Sequence, residues 1–246
     1  LAGILAEVDA VIYCAGSVRG RRAADFARAN IDGVSAMARA LEHSVRTPPL
    51  LLLSSLAARQ PQLSAYAYSK NAGEQVLLDR PALPWTIFRP PAVYGPGDKE
   101  MLSLLKLARM GFIVQPGPRE QRLSLLHVED LARAVEAWLA APGGCSRETY
   151  AIDDGTVGGY HWEDIARAVS QRRAHMIRLP RFLLHLAAGT NLFLSTLFRY
   201  SPMLTPGKVR ELVHPEWLCD NQAFTAATGW RPRLDLSEGA RRLFAT

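Results

Sequence analysis

Short, continuous apolar runs recur along the chain and alternate with segments whose apolar residues follow a helical spacing. Most runs are too short for helices and are followed by small or turn-forming residues, which is typical of strands buried on both faces. We predict strands over residues 9–15, 50–55, 85–88, 123–126 and 149–152. Helical spacing predicts helices through residues 26–41, 66–79, 101–110 and 128–140. This alternation predicts an α/β protein with a doubly wound, parallel, Rossmann-like sheet.

The last third of the chain is less regular. From Trp162 onward the pattern is helical and irregular, and Phe182–Phe198 is its most apolar segment. That segment falls short of the ~20 residues that an α-helix needs to span a bilayer. We predict a pair of helices there, broken near Gly189, that is either soluble or lies at an interface.

The composition is that of an ordinary globular protein, 48% hydrophobic and 21% charged over 246 residues. Its net charge of +6 comes almost entirely from arginine and suits an anionic ligand such as a dinucleotide, or a nucleic-acid surface. One tight cluster, Arg19, Arg21 and Arg22, is short for a nucleic-acid patch. Three widely separated cysteines form neither a disulfide framework nor a zinc motif. We therefore expect a reducing, cytoplasmic compartment and no metal.

The stretch from Ser54 to Lys70 concentrates the candidate chemistry. Ser54 and Ser55 end a predicted strand, and Tyr66 and Lys70 follow at the start of the next predicted helix. Four residues apart, the phenol and the ammonium lie on nearly the same helix face, about 6 Å apart along the axis. An adjacent ammonium favours phenolate, so we expect Lys70 to lower the pKa of Tyr66 and allow proton exchange with a substrate hydroxyl. The same spacing also occurs on solvated helix faces, and the strand-end serines favour a site.

Several motifs together resemble the extended short-chain dehydrogenase/reductases, the NAD-dependent epimerase/dehydratase family. The active-site segment is matched by Ser54-Ser55, Tyr66-x-x-x-Lys70 and Glu74. The other matching motifs are residues 9–16, Asn30, residues 89–97 (RPPAVYGPG), residues 127–132 (HVEDLA), and Trp230-x-Pro232 followed by Gly239. The resemblance covers nearly the whole chain.

The resemblance implies an NAD(P)-dependent oxidoreductase, epimerase or dehydratase that acts on a hydroxyl or carbonyl group of a small molecule. Tyr66 is then the proton donor and acceptor, Lys70 holds the nicotinamide ribose, and Ser55 hydrogen-bonds the reacting oxygen. NAD or NADP is the implied cofactor, and a homodimer formed through the Tyr66 helix is a family expectation. The implied cofactor-contacting residues are Ala15, Gly16, Ser54, Tyr66, Lys70, Arg89 and Pro90.

The resemblance also implies two lobes. Residues 1–91 and 122–154 correspond to the dinucleotide-binding domain, and residues 92–121 and 155–246 to a smaller, mostly helical substrate-binding lobe. The glycine-rich phosphate loop and the residue that reads the ribose 2′ position do not occur in this sequence. In the family they precede the first strand found here, so we expect the intact protein to carry them upstream.

The substrate stays open. Nucleotide-sugar members of the family often carry an arginine four residues before the histidine that matches His127. Here that position is Leu123, and Arg122 lies one residue off. The apolar Phe182–Phe198 segment favours a greasier substrate, such as a sterol-like or flavonoid-like alcohol or ketone, unless it is ordinary core of the smaller lobe.

Two other classes of function remain open. One is a non-catalytic dinucleotide-binding or RNA-binding scaffold with the same fold. Ser55, Tyr66 and Lys70 together favour an enzyme instead, because a scaffold has no need of them. The other is attachment to a membrane surface through Phe182–Phe198.

Overall fold

The computed structural model describes residues 2–170 and 174–245. The chain divides into two compact units. The first comprises Leu1–Arg89, Trp138–Tyr150 and His185–Glu211, and the second comprises Pro90–Ala137, Ala151–Leu184 and Leu212–Thr246. Compactness does not assign function, so the division into a cofactor-binding domain and a substrate-binding lobe stays a prediction.

The described residues form short strands and longer helices. The strands are β1 (Val11–Tyr13), β2 (Leu50–Leu53), β3 (Trp85–Phe88), β4 (Ala92–Tyr94), β5 (Phe112–Gln115), β6 (Arg122–Leu123), β7 (Leu125–His127), β8 (Glu148–Tyr150), β9 (His175–Arg178) and β10 (Glu216–Trp217). The helices are α1 (Ala2–Leu5), α2 (Ala23–Ala27), α3 (Gly33–Glu42), α4 (Ala65–Leu78), α5 (Glu100–Arg109), α6 (Val128–Ala140), α7 (Trp162–Ser170), α8 (Arg181–Phe198), α9 (Pro206–Leu212), α10 (Gln222–Thr228) and α11 (Leu236–Ala245).

The first unit is built on a four-stranded sheet in the order β1-β2-β3-β8. All three strand pairs are parallel, and Leu50 lies opposite Val11 on one side and Trp85 on the other. Strand β2 is a run of four leucines because helices α3 and α4 contribute to one core with it. Full burial of a leucine side chain contributes roughly 1.5–3 kcal/mol. The predicted parallel, Rossmann-like sheet is confirmed.

The second unit contains three two-stranded parallel ladders, β4-β7, β5-β9 and β6-β10. Tyr94 and His127 are buried in its core, with ring centroids 5.2 Å apart. The Asp130 carboxylate accepts N–H bonds from Arg233 and Leu234, both at 2.9 Å. His127 and Asp130 of the HVEDLA motif therefore hold the unit together.

The predicted elements of the first half of the chain match closely, with two differences. The helix expected through residues 26–41 is interrupted by a π-helical turn, Arg28–Asp32, between α2 and α3. The strand expected at 123–126 is divided into β6 and β7. Strands β4, β5, β9 and β10 were not predicted, because each has four residues or fewer and leaves too little pattern to recognise.

Helix α8 corrects a prediction. It is one continuous helix of 18 residues, so the expected break near Gly189 does not occur. A Cβ at Gly189 would meet nothing within 4 Å. A glycine inside a helix costs only about 1 kcal/mol relative to alanine and need not end it. Within the described ranges, no helix combines the length and the apolarity that crossing a membrane requires.

Candidate active site

The carboxyl ends of the parallel strands bring the predicted segments to one edge of the sheet. Strand β1 leads into the exposed residues Ala15 and Gly16, and strand β2 leads into Ser54 and Ser55. The sheet ladder continues past the strand ends, because the Ser54 N–H donates to the Phe88 carbonyl at 2.8 Å. This is the edge at which doubly wound sheets bind their ligands.

The Ser55 hydroxyl acts on the Tyr66 phenol, and this interaction lowers the pKa of Tyr66 against the effect of burial. Ser55 caps the short 3-10 turn after β2, and its Oγ accepts the Ala57 N–H at 3.2 Å. Tyr66 is the second residue of α4, whose N-cap Ser64 accepts the Ala67 N–H at 2.9 Å. Two local caps therefore fix the backbone on either side of the paired hydroxyls.

Lys70 lies one helical turn after Tyr66 and is 8% exposed. Its Nζ donates to the Leu53 carbonyl at 3.0 Å. A Cβ at Gly16 would lie 3.1 Å from that Nζ, so the amine lies directly beneath the loop after β1. Burial lowers the pKa of Lys70 to about 8, and the charge of Glu74 opposes the shift.

Asn30 fixes the same loop from the π-helical turn. Its Oδ1 accepts the Ser17 N–H at 3.0 Å, and its Nδ2 donates to the Ser17 carbonyl at 3.0 Å and to Ser69 Oγ at 2.9 Å. A Cβ at Gly73 would lie 2.1 Å from the Asn30 carbonyl oxygen. The π-helical turn and helix α4 therefore approach each other at a position that only glycine allows. Single π-helical turns are frequent at functional sites.

Ser54, Glu74 and Arg89 form an internal network. The Ser54 hydroxyl donates to Glu74, and Arg89 Nε donates to both carboxylate oxygens at 3.0 and 3.1 Å. The Glu74 side chain is fully buried, and a buried carboxylate requires such partners. The side chains of Ser54 and Arg89 are thus directed into the protein. A cofactor contact by these two residues, or by the buried Pro90 that follows, stays a prediction.

The expected direction of the Tyr66 pKa shift is wrong for this structure. Burial raises the pKa of Tyr66, and the opposing influences are the Ser55 hydrogen bond and the charge of Lys208. The charge of Glu211 adds to the rise. The phenol is therefore protonated at neutral pH, and the cation that acts on it comes from helix α9 and not from Lys70.

Helix α9 supplies two site neighbours that the sequence reasoning missed. Lys208 Nζ lies 5.8 Å from the centroid of the Tyr66 ring. Lys208 Nζ donates to Glu211 at 2.8 Å. Glu211 also accepts a hydrogen bond from the hydroxyl of Ser64, the N-cap of α4. The only sequence signal was a Lys-x-x-Glu spacing, typical of any helix surface, far from Tyr66 along the chain.

The residues at this edge fit the nicotinamide-ribose end of a dinucleotide. Gly16 offers exposed backbone with no side chain, and the Lys70 amine beneath it donates one N–H to Leu53. A lysine amine carries further N–H donors that suit ribose hydroxyls. An anionic ligand would favour the protonated amine.

The order of the parallel sheet and the residues at its carboxyl edge are those expected of the short-chain dehydrogenase/reductase type. The model of the NAD dependent epimerase/dehydratase family matches residues 1–152. The chain belongs to this family, which confirms the resemblance and the predicted cofactor class, NAD or NADP.

Individual proteins resemble the chain in sequence or in fold. The chain is 36% identical to a ceramide reductase of Caulobacter vibrioides over 214 residues, covering 85% of this chain and 65% of that protein. The chain thus spans just under two thirds of the relative's length. A UDP-glucuronic acid 4-epimerase of Bacillus cereus, in complex with UDP-glucuronic acid and NAD, matches with a TM-score of 0.70 at 18% identity, over 99% of this chain and 76% of its own. RMD of Pseudomonas aeruginosa, complexed with NADPH, matches with a TM-score of 0.67 at 18% identity, over 100% of this chain and 85% of its own.

Proposed function

We propose that the protein is an NAD(P)-dependent reductase in which Tyr66 transfers the proton, Ser55 orients the reacting oxygen and Lys70 binds the nicotinamide ribose. The observation that carries the proposal is that the carboxyl end of β2 brings together Ser55, the Tyr66 phenol on which Ser55 acts, and the buried Lys70 amine, which donates to the Leu53 carbonyl at 3.0 Å. Two neighbouring hydroxyls can both hydrogen-bond to one substrate oxygen. Ala15, Gly16, Ser54, Arg89 and Pro90 are the proposed neighbours of the cofactor.

The protonation state of Tyr66 favours reduction over oxidation. A reduced nicotinamide, when bound, would supply a hydride for the carbonyl carbon of the substrate. The carbonyl oxygen then takes the Tyr66 proton, and a hydroxyl group results. A raised pKa keeps that proton on the phenol at neutral pH, which suits a general acid.

We propose a lipid-like ketone as the substrate class. The similarity to a ceramide reductase supports it, as do the exposed apolar side chains of α8. The complex with UDP-glucuronic acid is a structure 18% identical to this chain, so its similarity shows the fold alone. Leu123, in place of the arginine typical of nucleotide-sugar members, also supports a lipid over a nucleotide sugar.

The experiment is a cofactor and substrate screen with the protein at its full natural length. NADPH and NADH oxidation is followed by absorbance with a long-chain ketolipid and, separately, with nucleotide sugars. We expect turnover with the ketolipid, and a loss of about 10²–10⁴-fold in Tyr66→Phe, since the general acid is removed.

Tyr68→Phe is the matched control, because Tyr68 is two residues away on the same helix and 59% exposed. It should retain full turnover, and Tyr66→Phe should retain cofactor affinity. Turnover of Tyr66→Phe at the wild-type rate would refute the catalytic assignment. Turnover with nucleotide sugars alone would refute the substrate class and leave the site intact.

A further inference from the structure

The outward side of helix α8 is a row of large apolar side chains, which we call the outer face of α8. It consists of Phe182, Leu186, Phe193 and Leu197, with Phe198 at the helix end. Their exposed fractions lie between 64% for Leu186 and 70% for Phe193. At 100° per residue the four helical positions fall within one narrow sector of the helix.

The opposite side of α8 is the part that packs against protein. Leu184, Ala188 and Ser195 are buried and follow each other at helical spacing. A helix that is apolar on all sides belongs in a large core or in contact with lipid. In α8 a narrow stripe is covered, and the outer face requires an apolar environment that the described residues do not supply.

Positive charge lies beside helix α8, next to the side that packs against protein. Arg21 Nη1 donates to the Ser195 carbonyl at 3.3 Å, which brings the arginine cluster Arg19, Arg21 and Arg22 next to the second half of α8. Arg199 follows the helix and is exposed, and no residue of α8 is acidic. The nearby acid Asp25 accepts the backbone N–H groups of Arg21 and Arg22 at 2.7 and 3.0 Å. The surface beside α8 is therefore net positive.

We propose that the outer face of α8 and the arginine cluster bind the surface of an anionic phospholipid bilayer, with α8 lying in the interface. An apolar helix face flanked by arginine is the pattern of interfacial helices, which insert apolar side chains among acyl chains while basic groups meet lipid phosphates. A second copy of the chain fits less well, because two positive borders would face each other. Nucleic acid fits the arginines but leaves the phenylalanines and leucines exposed.

This inference goes beyond the proposed catalysis and does not depend on it. A lipid-like substrate would be delivered from the same surface, but vesicle binding is measured without substrate or cofactor.

The test is co-sedimentation of the full-length protein with vesicles of phosphatidylcholine alone or of phosphatidylcholine mixed with phosphatidylglycerol. We expect binding to the mixed vesicles, weakened by salt, and little binding to phosphatidylcholine. Phe193→Ser combined with Leu197→Ser should lower the partition coefficient about tenfold or more, since two large apolar side chains no longer insert. Met110→Ser is the matched control, because Met110 is also 70% exposed, and it should leave binding unchanged.

The arginine contribution is tested separately. Each arginine near an anionic surface contributes about fivefold to binding, so Arg19→Gln combined with Arg22→Gln should lower binding to the mixed vesicles about tenfold or more. Binding to phosphatidylcholine alone should not change. The exposed Arg119→Gln is the control. Unfolding midpoints of all variants should equal that of the wild type, because every substituted side chain is exposed.

Three results would overturn the proposal. The first is no sedimentation with either vesicle. The second is equal binding by the Phe193→Ser, Leu197→Ser variant. The third is a wild-type protein that is dimeric in lipid-free buffer while this variant is monomeric. The outer face of α8 would then be covered by a second copy. A wild-type protein that binds the mixed vesicles but shows no reductase turnover would count against the proposed catalysis alone.

Discussion

Helices α4 and α8 differ in how their side chains are held. Helix α4 buries polar groups, among them Ser69, Lys70 and Glu74, and each has a defined hydrogen-bond partner. Helix α8 buries a narrow stripe and exposes large apolar groups on its other side. Buried polar groups must be satisfied, which fixes the orientation of α4. Apolar contacts are non-directional. The exposed side chains of α8 therefore require an apolar environment but do not require one particular orientation of a partner.

The difference shows what each helix is suited to do. Proton transfer needs atoms held within a few tenths of an ångström, and the network around α4 supplies that restraint. Adsorption to a fluid surface needs apolar area and charge, and α8 with its neighbouring arginines supplies both. The following predictions test whether α4 is held tightly by its neighbours and whether α8 is not.

The largest expected effect on stability comes from replacing Gly73 of α4, in contrast to Gly189 of α8. Gly73→Ala should destabilise the protein by about 3 kcal/mol or more, because the new Cβ meets the Asn30 carbonyl oxygen and backbone cannot move aside cheaply. Gly189→Ala should be neutral or stabilising by up to about 1 kcal/mol, since its Cβ enters open space in a helix. Urea unfolding of both variants measures the contrast, and equal effects at the two positions would contradict it.

A second prediction concerns the buried amine of Lys70. Its pKa of about 8 lies below the unfolded value of 10.5, so the unfolded state binds the proton more tightly. Stability of the wild type should therefore rise as pH increases from about 8 to about 10.5. Lys70→Met removes this contribution and should be more stable than the wild type by about 2–3 kcal/mol below pH 8, with the difference shrinking toward pH 10.5.

The measurement is a series of urea titrations between pH 7 and pH 10. Lys106→Met, at an exposed position, is the control and should track the wild type at every pH. A Lys70→Met variant that is less stable at pH 7, or equally displaced at all pH values, would contradict the buried-amine account. Reductase turnover of Lys70→Met should fall despite its stability, because we propose that this amine binds the cofactor.

The smallest effect is expected at Lys208. Its charge lowers the pKa of Tyr66 against the effect of burial, so Lys208→Met should raise that pKa further. In the reduction direction the rate falls when the phenol loses its proton, and this fall should move to higher pH. Lys106→Met again serves as the control. A lower kcat with an unmoved pH profile would show that Lys208 acts on the structure alone.

Much of the fold follows from local pattern. The leucine run of β2, the Trp85–Phe88 strand and the helices α4, α5 and α6 were predicted to within about two residues, because burial on two faces and helical spacing both leave a periodic signature. Gly189 misled the prediction for α8, since packing and helix length outweigh the propensity of one residue.

The site was predicted in its residues but not in its electrostatics. Tyr66 and Lys70 lie on consecutive turns, yet burial outweighs their spacing and raises the pKa of the phenol. Lys208 and Glu211 reach the start of α4 from far along the chain, and no local pattern records such a contact. The roles of Ser55, Tyr66 and Lys70 and the cytoplasmic location remain predictions.

The most direct measurement of the central claim is a double-mutant cycle between Ser55 and Tyr66, read as ketolipid reduction by the full-length protein. Groups that act on one oxygen as a unit are not additive. We predict that Ser55→Ala and Tyr66→Phe each lower kcat at least about a hundredfold, and that the double variant is no slower than Tyr66→Phe alone. Losses that multiply, or single variants that keep wild-type turnover, would contradict the claim that these two hydroxyls form one catalytic pair.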